Sequence, residues 1–184
     1  MRDVLLDSPV VASVKDEAGM RAVVDAEPAV VFLLFGSILT LPDLVDRLRA
    51  AGKVVLVNVD MVEGLEGRDV AADFVAERTR AHGVLSGKAP IVKAAKARGL
   101  LAVHRSFLVD SFSYRALGRQ LAISRPDFVE ILPGCVPRVI SWLREDTEVP
   151  IIAGGLVCDK EDVLAALGAG AIAIATSNAD VWAM

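Results

Sequence analysis

Short apolar runs and amphipathic stretches alternate along the whole chain. Runs rich in Val, Ile, Leu and Ala at 10–13, 30–35, 54–59, 83–85, 101–105, 128–131, 150–153 and 171–175 read as strands. Between them, helical spacing of the apolar positions covers 16–26, 41–51, 68–81, 90–98, 113–123, 136–145 and 160–167, and a stub follows at 179–184. Gly52, Gly83, Gly99 and Gly170 each stand between a helical run and a strand, where a helix C-cap glycine belongs. Pro42 and Pro90 stand at helix starts, where a missing N–H costs nothing.

Regular strand–helix alternation with short connections predicts βαβ units and a parallel sheet. Eight strands favour a closed (β/α)8 barrel of one domain over an open, doubly wound sheet. The 184 residues are few for such a barrel, which usually takes about 250. Without the run at 10–13, a seven-stranded or open arrangement is the alternative.

Composition fits buried strands wrapped by small-residue helices: 54% of residues are hydrophobic and only 5% aromatic. Mean hydropathy is high, at +0.50. Yet charges or turn residues break every apolar run well short of the ~20 positions a membrane helix needs. The opening Met1-Arg2-Asp3 has no signal-peptide core, and Cys135 and Cys158 are isolated thiols, so a reduced, cytoplasmic protein is expected. The net charge of −4 and pI near 5.2 exclude binding nucleic acid over the whole surface; any RNA contact must come from a local patch, a partner subunit or a ligand-dependent state.

Function in such a barrel gathers in the loops after the strands. Polar and glycine residues concentrate there. Gly154-Gly155 after the seventh strand and Thr176-Ser177 after the eighth form a candidate phosphate cradle, because glycine lets backbone N–H groups approach an anion closely. Lys88 and Arg105 also follow strand ends and could neutralise phosphate or bind hydroxyls. Lys88 has a rival reading as an imine-forming lysine. Asp60 and Glu130 are carboxylates on apolar strands, placed to pair with those cations or to accept from ligand hydroxyls.

His82 is expected to be solvated at a helix end, and His104 to be an interior strand residue. No metal-ligand spacing, P-loop or dinucleotide fingerprint occurs, so no cofactor is expected. Lys93, Lys96 and Arg98 on one helix, and Arg115, Arg119 and Arg125 on another, are the candidates for RNA contact.

Six segments stand in order along nearly the whole chain: Val31-Phe32-Leu33-Leu34-Phe35-Gly36, Val59-Asp60-Met61-Val62-Glu63-Gly64-Leu65, Phe107-Leu108-Val109-Asp110-Ser111, Glu130-Ile131-Leu132-Pro133-Gly134, Pro150-Ile151-Ile152-Ala153-Gly154-Gly155-Leu156 and Ala175-Thr176-Ser177. Together they resemble the glycerol-3-phosphate-responsive antiterminators, regulators of glycerol uptake genes. The resemblance implies a barrel that binds glycerol 3-phosphate, acts on leader mRNA against premature termination, and performs no catalytic turnover.

Departures fall at the mouth: Asn58 where His is expected, Ser86-Gly87-Lys88 where Ser-Thr-Lys or Ser-Thr-Arg is usual, and His104 where Gln is usual. A related phosphorylated polyol is therefore an admissible ligand, and a homodimer an admissible assembly. The competing readings are a lyase or isomerase acting on a phosphorylated triose or polyol, and a ligand-binding subunit that regulates another protein.

Overall fold

The computed structural model describes residues 2–65 and 67–184. Its strands are β1 (Val10–Val14), β2 (Val30–Leu33), β3 (Val54–Asn58), β4 (Gly83–Ser86), β5 (Leu101–Phe107), β6 (Phe128–Leu132), β7 (Ile151–Gly154) and β8 (Ala173–Thr176). All neighbours are parallel and β8 pairs back to β1, closing the barrel in sequence order. The expected (β/α)8 architecture is the one observed, and the run at 10–13 is one of its strands.

Helices α1 (Arg2–Asp7), α2 (Glu17–Val24), α3 (Leu41–Ala50), α4 (Val70–Arg78), α5 (Ala89–Ala97), α6 (Ser111–Ser124), α7 (Pro137–Asp146), α8 (Lys160–Gly168) and α9 (Ala179–Trp182) surround it. Among the described residues no helix is long and apolar enough to cross a membrane.

Alternation along each strand divides the core in two. Outward-facing residues such as Val31, Val57 and Ile174 pack under the helices. Inward-facing ones such as Val11, Phe32, Leu56, Val103, Phe128 and Ile152 fill the barrel. Helix α1 has no counterpart in the sequence reading. Its Leu5, fully buried, joins the inner cluster and so packs with the barrel's filling.

Boundaries moved where loop chemistry prevailed. β3 stops at Asn58 because the side chain there accepts from the Asp60 N–H (3.1 Å) and starts a 3-10 turn over Val59–Met61. Gly83 is a strand residue and not a helix C-cap: a Cβ there would lie 2.4 Å from the Leu101 carbonyl oxygen on β5. Gly52, Gly99 and Gly170 do have positive φ, at 77°, 73° and 107°.

His82 also departs from expectation. α4 ends at Arg78, and His82 is half-buried, accepting from the Val55 N–H (3.0 Å) in contact with Arg49. Burial, then Arg49, lowers its pKa. His104 alternates with the inward Val103 and therefore faces outward, buried under the helices, where burial lowers its pKa against a smaller raising effect of Asp60.

Candidate functional site

The apolar filling of the barrel gives way to polar groups only at the C-terminal ends of the strands. Ser13, Asn58, Arg105 and Glu130 follow the inward alternation there. A cavity of about 430 Å³ opens above them, lined among others by Ser13, Lys15, Arg105, Glu130, Gly155, Thr176 and Ser177. A larger cavity, about 530 Å³, lies on the flank between α6 and α7 beside Tyr114 and Leu143. The mouth cavity is the candidate site, because only there do the strand-end residues of several βα units converge.

Glu130 is 3% exposed and stands beside Arg105 in the β5–β6 register. Arg105 Nε lies 3.2 Å from Glu130 Oε2, close enough to attract, yet neither atom has an aligned hydrogen-bond partner. Burial pushes the Glu130 carboxyl up to about 7, and the nearby guanidinium offsets only part of that. The Arg105 guanidinium also meets the Phe107 ring, 5.3 Å from its carbon, and Met61 Sδ, 3.7 Å from Nη1.

Gly154 gives Glu130 its space, since a Cβ there would come within 2.5 Å of Oε1. Gly155 adopts φ +71°, which a side chain would strain, and faces Leu132. The Gly134 N–H donates to the carbonyls of Gly154 (2.6 Å) and Gly155 (2.9 Å), locking the β6 and β7 loops together.

Thr176 lines the cavity, but its hydroxyl is engaged. It donates to the Val157 carbonyl (2.9 Å) and accepts from the Asn178 N–H (3.1 Å), while the Trp182 indole donates to the Thr176 carbonyl (2.9 Å). Asn178 in turn donates to the Cys158 carbonyl (2.8 Å). These bonds tie the β7 and β8 loops into one rim and leave Ser177 exposed on it. The N-terminus of α8 is already satisfied by the Asp159 side chain and followed by Glu161 and Asp162, so it offers little to an anion.

Five of the predicted residues thus line one cavity: Arg105, Glu130, Gly155, Thr176 and Ser177, with Gly154 packed against Glu130. Asp60 and Lys88 do not line it. Asp60 accepts from Ser86 Oγ (2.9 Å) and the Gly87 N–H (2.7 Å), joining the loop after β3 to the loop after β4. Lys88 is exposed at the N-cap of α5, and its side chain crosses Gly67 closely enough to leave no room for a Cβ.

Lys15 was missed by the sequence reading. It follows Ser13 on the same strand parity, and that was the available signal. The basic candidates on α5 are partly spent: Lys96 pairs with Asp127 (2.6 Å), and Arg98 with Asp73 (2.6 Å) and Glu77 (2.8 Å). Among the described residues no group of His, Cys, Asp and Glu is arranged to hold a metal ion.

Fold and cavity define a (β/α)8 barrel with a cationic, partly buried polar site at the strand ends. The sequence matches the glycerol-3-phosphate responsive antiterminator family over residues 10–182, and the chain belongs to that family. It is 42% identical over 180 residues to the protein YgcP of Escherichia coli K12, covering 98% of this chain and 94% of that one.

Among solved structures, the glycerol uptake operon antiterminator regulatory protein of Listeria monocytogenes superposes with a TM-score of 0.92 at 30% identity, covering 96% of this chain and 95% of that one. A glycerol uptake operon antiterminator-related protein of Thermotoga maritima gives 0.82 at 33% identity, covering 95% and 98%. Deoxyribose phosphate aldolase of Aeropyrum pernix shares the fold alone, with a TM-score of 0.69 at 18% identity over 97% of this chain and 88% of that one. Family membership supports a regulatory role.

Proposed function

We propose that this chain is a ligand-responsive antitermination regulator that binds glycerol 3-phosphate, or a closely related phosphorylated polyol, in the mouth cavity and acts on leader mRNA. The observation that carries the reading is the convergence of Lys15, Arg105, Glu130, Gly155 and Ser177 on one cavity in a chain of this family. Lys15, the Gly155 backbone and Ser177 would receive the phosphate, and Arg105 and Glu130 the glycerol part. Asp60 would act indirectly by holding the β3 and β4 loops, and Lys88 from the exposed rim.

Regulation without turnover is supported by Lys88 itself. It is exposed and outside the cavity lining, whereas an imine-forming lysine must meet its carbonyl inside the site. For RNA, the exposed basic side chains of the packed pair α5–α6, Lys93, Arg115 and Arg119, are better placed than the paired Lys96 and Arg98. Ligand would strengthen RNA binding only by favouring the competent conformation.

The test is calorimetric titration with glycerol 3-phosphate, glycerol and inorganic phosphate, followed by filter binding to the native leader with and without ligand. Saturable binding that is lost in Gly155→Asp, together with ligand-dependent RNA affinity, is expected. Absence of ligand binding at millimolar concentration, or RNA affinity indifferent to ligand, would refute the corresponding half of the reading.

A further inference from the structure

Exposed aromatic rings gather on one side of the barrel. The chain holds six Phe, two Trp and one Tyr. The exposed ones are Phe107 (59%), Phe112 (69%) and Trp142 (45%), and all of them lie on the face formed by the end of β5, α6 and α7. A cavity of about 350 Å³, lined among others by Val109, Tyr114, Val139 and Trp142, joins the loop after β5 to α7. Single exposed apolar residues are ordinary, but a cluster of them marks a surface that meets a partner.

Charge narrows the choice of partner. The Arg105 guanidinium lies over the Phe107 ring (5.3 Å) and that of Arg138 over the Trp142 ring (5.0 Å), while Tyr114 meets Trp142 edge-on at 6.2 Å. Arg115 and Arg119 are exposed on α6, which carries no acidic residue along Ser111–Ser124. Asp110 and Asp146, which border the face, are hydrogen-bonded within the protein: Asp110 accepts from the Ser113 N–H (2.7 Å) and Asp146 from the Tyr114 hydroxyl (2.7 Å). Rings for stacking beside arginines for phosphate are what an unpaired nucleic acid strand requires; in a duplex the base faces are already stacked on one another. We infer that the β5–α6–α7 face binds an unpaired segment of RNA, with bases stacked on Phe107, Phe112 and Trp142 and phosphates on Arg115 and Arg138.

This inference rests on the antitermination reading above and adds to it the RNA surface and the unpaired state of the strand. The face begins where the ligand cavity ends, because Arg105 lines that cavity and also lies over Phe107.

The experiment is filter binding of the full chain to the native leader transcript, and to the same transcript annealed to its complement, with glycerol 3-phosphate present at millimolar concentration. The wild-type protein is expected to bind the single strand about tenfold or more tightly than the duplex. Phe112→Ala and Trp142→Ala should each weaken single-strand binding by about fivefold to a hundredfold, one stacked base's worth, with the salt dependence unchanged. Phe112→Leu, which keeps apolar bulk without the ring, should bind as weakly as Phe112→Ala, and Phe112→Trp as tightly as the wild type. Arg115→Gln should lower the slope of log affinity against log salt by about 0.7, one phosphate contact. Leu164→Ala, exposed on α8 outside this face, should change neither quantity.

Equal affinity for strand and duplex, or Phe112→Ala or Phe112→Leu binding like the wild type, would overturn the proposal and leave the antitermination reading standing. Should the wild-type protein bind the leader in neither form, the RNA half of that reading fails, and with it this inference. Should sedimentation show a wild-type dimer that Phe112→Ala splits, with RNA affinity unchanged, the face is an interface between copies of the chain and the proposal fails. Trp142 also touches Tyr114 and Arg138, so the Phe112 series decides alone if Trp142→Ala loses its fold.

Discussion

Replacing Glu130 by glutamine keeps the shape of the side chain and removes the carboxyl group whose ionisation the fold resists. Burial raises that group from 4.5 to about 7, against a smaller opposing effect of Arg105. Below about pH 4.5 it is neutral in both folded and unfolded chains and affects stability little. As pH rises, the unfolded chain gives up the proton first, so the folded state loses stability until the native group also ionises near 7. The gap from 4.5 to about 7 is worth about 3 kcal/mol at about 1.4 kcal/mol per unit.

Glu130→Gln should therefore match the wild type near about pH 4.5 and exceed it by about 2–3 kcal/mol near about pH 8, or roughly 4–12 °C in Tm. Paired urea titrations of the two proteins at both pH values measure this directly, and every other titrating group cancels in the difference. The reasoning fails if the variant is less stable than the wild type by the same amount at both pH values. A constant difference would mean that Glu130 ionises alike in the folded and unfolded chains, Arg105 just offsetting the effect of burial.

Two further substitutions test the frame that holds the site. Leu5→Ala should cost about 2–5 kcal/mol in urea unfolding by emptying part of the barrel's inner core, while phosphate affinity at the far end stays within about twofold. Gly83→Ala drives a methyl group into the Leu101 backbone and should cost more than about 3 kcal/mol, whereas Gly52→Ala, with open space but φ +77°, should cost about 1 kcal/mol; equal costs would contradict the strand placement of Gly83.

Much of this arrangement was legible in the chain because the period of two on each strand is a local property. The eight apolar runs predicted the barrel, and the barrel predicted that Arg105, Glu130, Gly155 and Ser177 would share one end. The same alternation, counted from Ala173 and Ala175, turns Thr176 outward, where its hydroxyl is taken by Val157; carried through β1, it brings Lys15 to the mouth. Other features depend on contacts between distant segments. Lys96 and Arg98 read as a basic stripe until α4 and the loop before β6 supply Asp73, Glu77 and Asp127. Helix α1 has only six residues, too few to show a helical period, and its role follows from what Leu5 meets in the barrel.

Two locally unfavourable features border the same cavity, and that coincidence bears on function. Glu130 holds an ionisable group where burial opposes its charge. Leu156, also in the cavity lining, adopts φ +55° and remains 67% exposed. Arg125, the other non-glycine residue at positive φ among the described residues, closes helix α6, where a left-handed C-cap satisfies the last carbonyls. Leu156 ends no helix, and its strain is relieved by no burial of its side chain. Unfavourable conformations of this kind persist where a site uses them. Gly154, whose Cβ would come within 2.5 Å of Glu130 Oε1, begins the turn that carries Leu156, so the two features are joined through one short segment at the mouth.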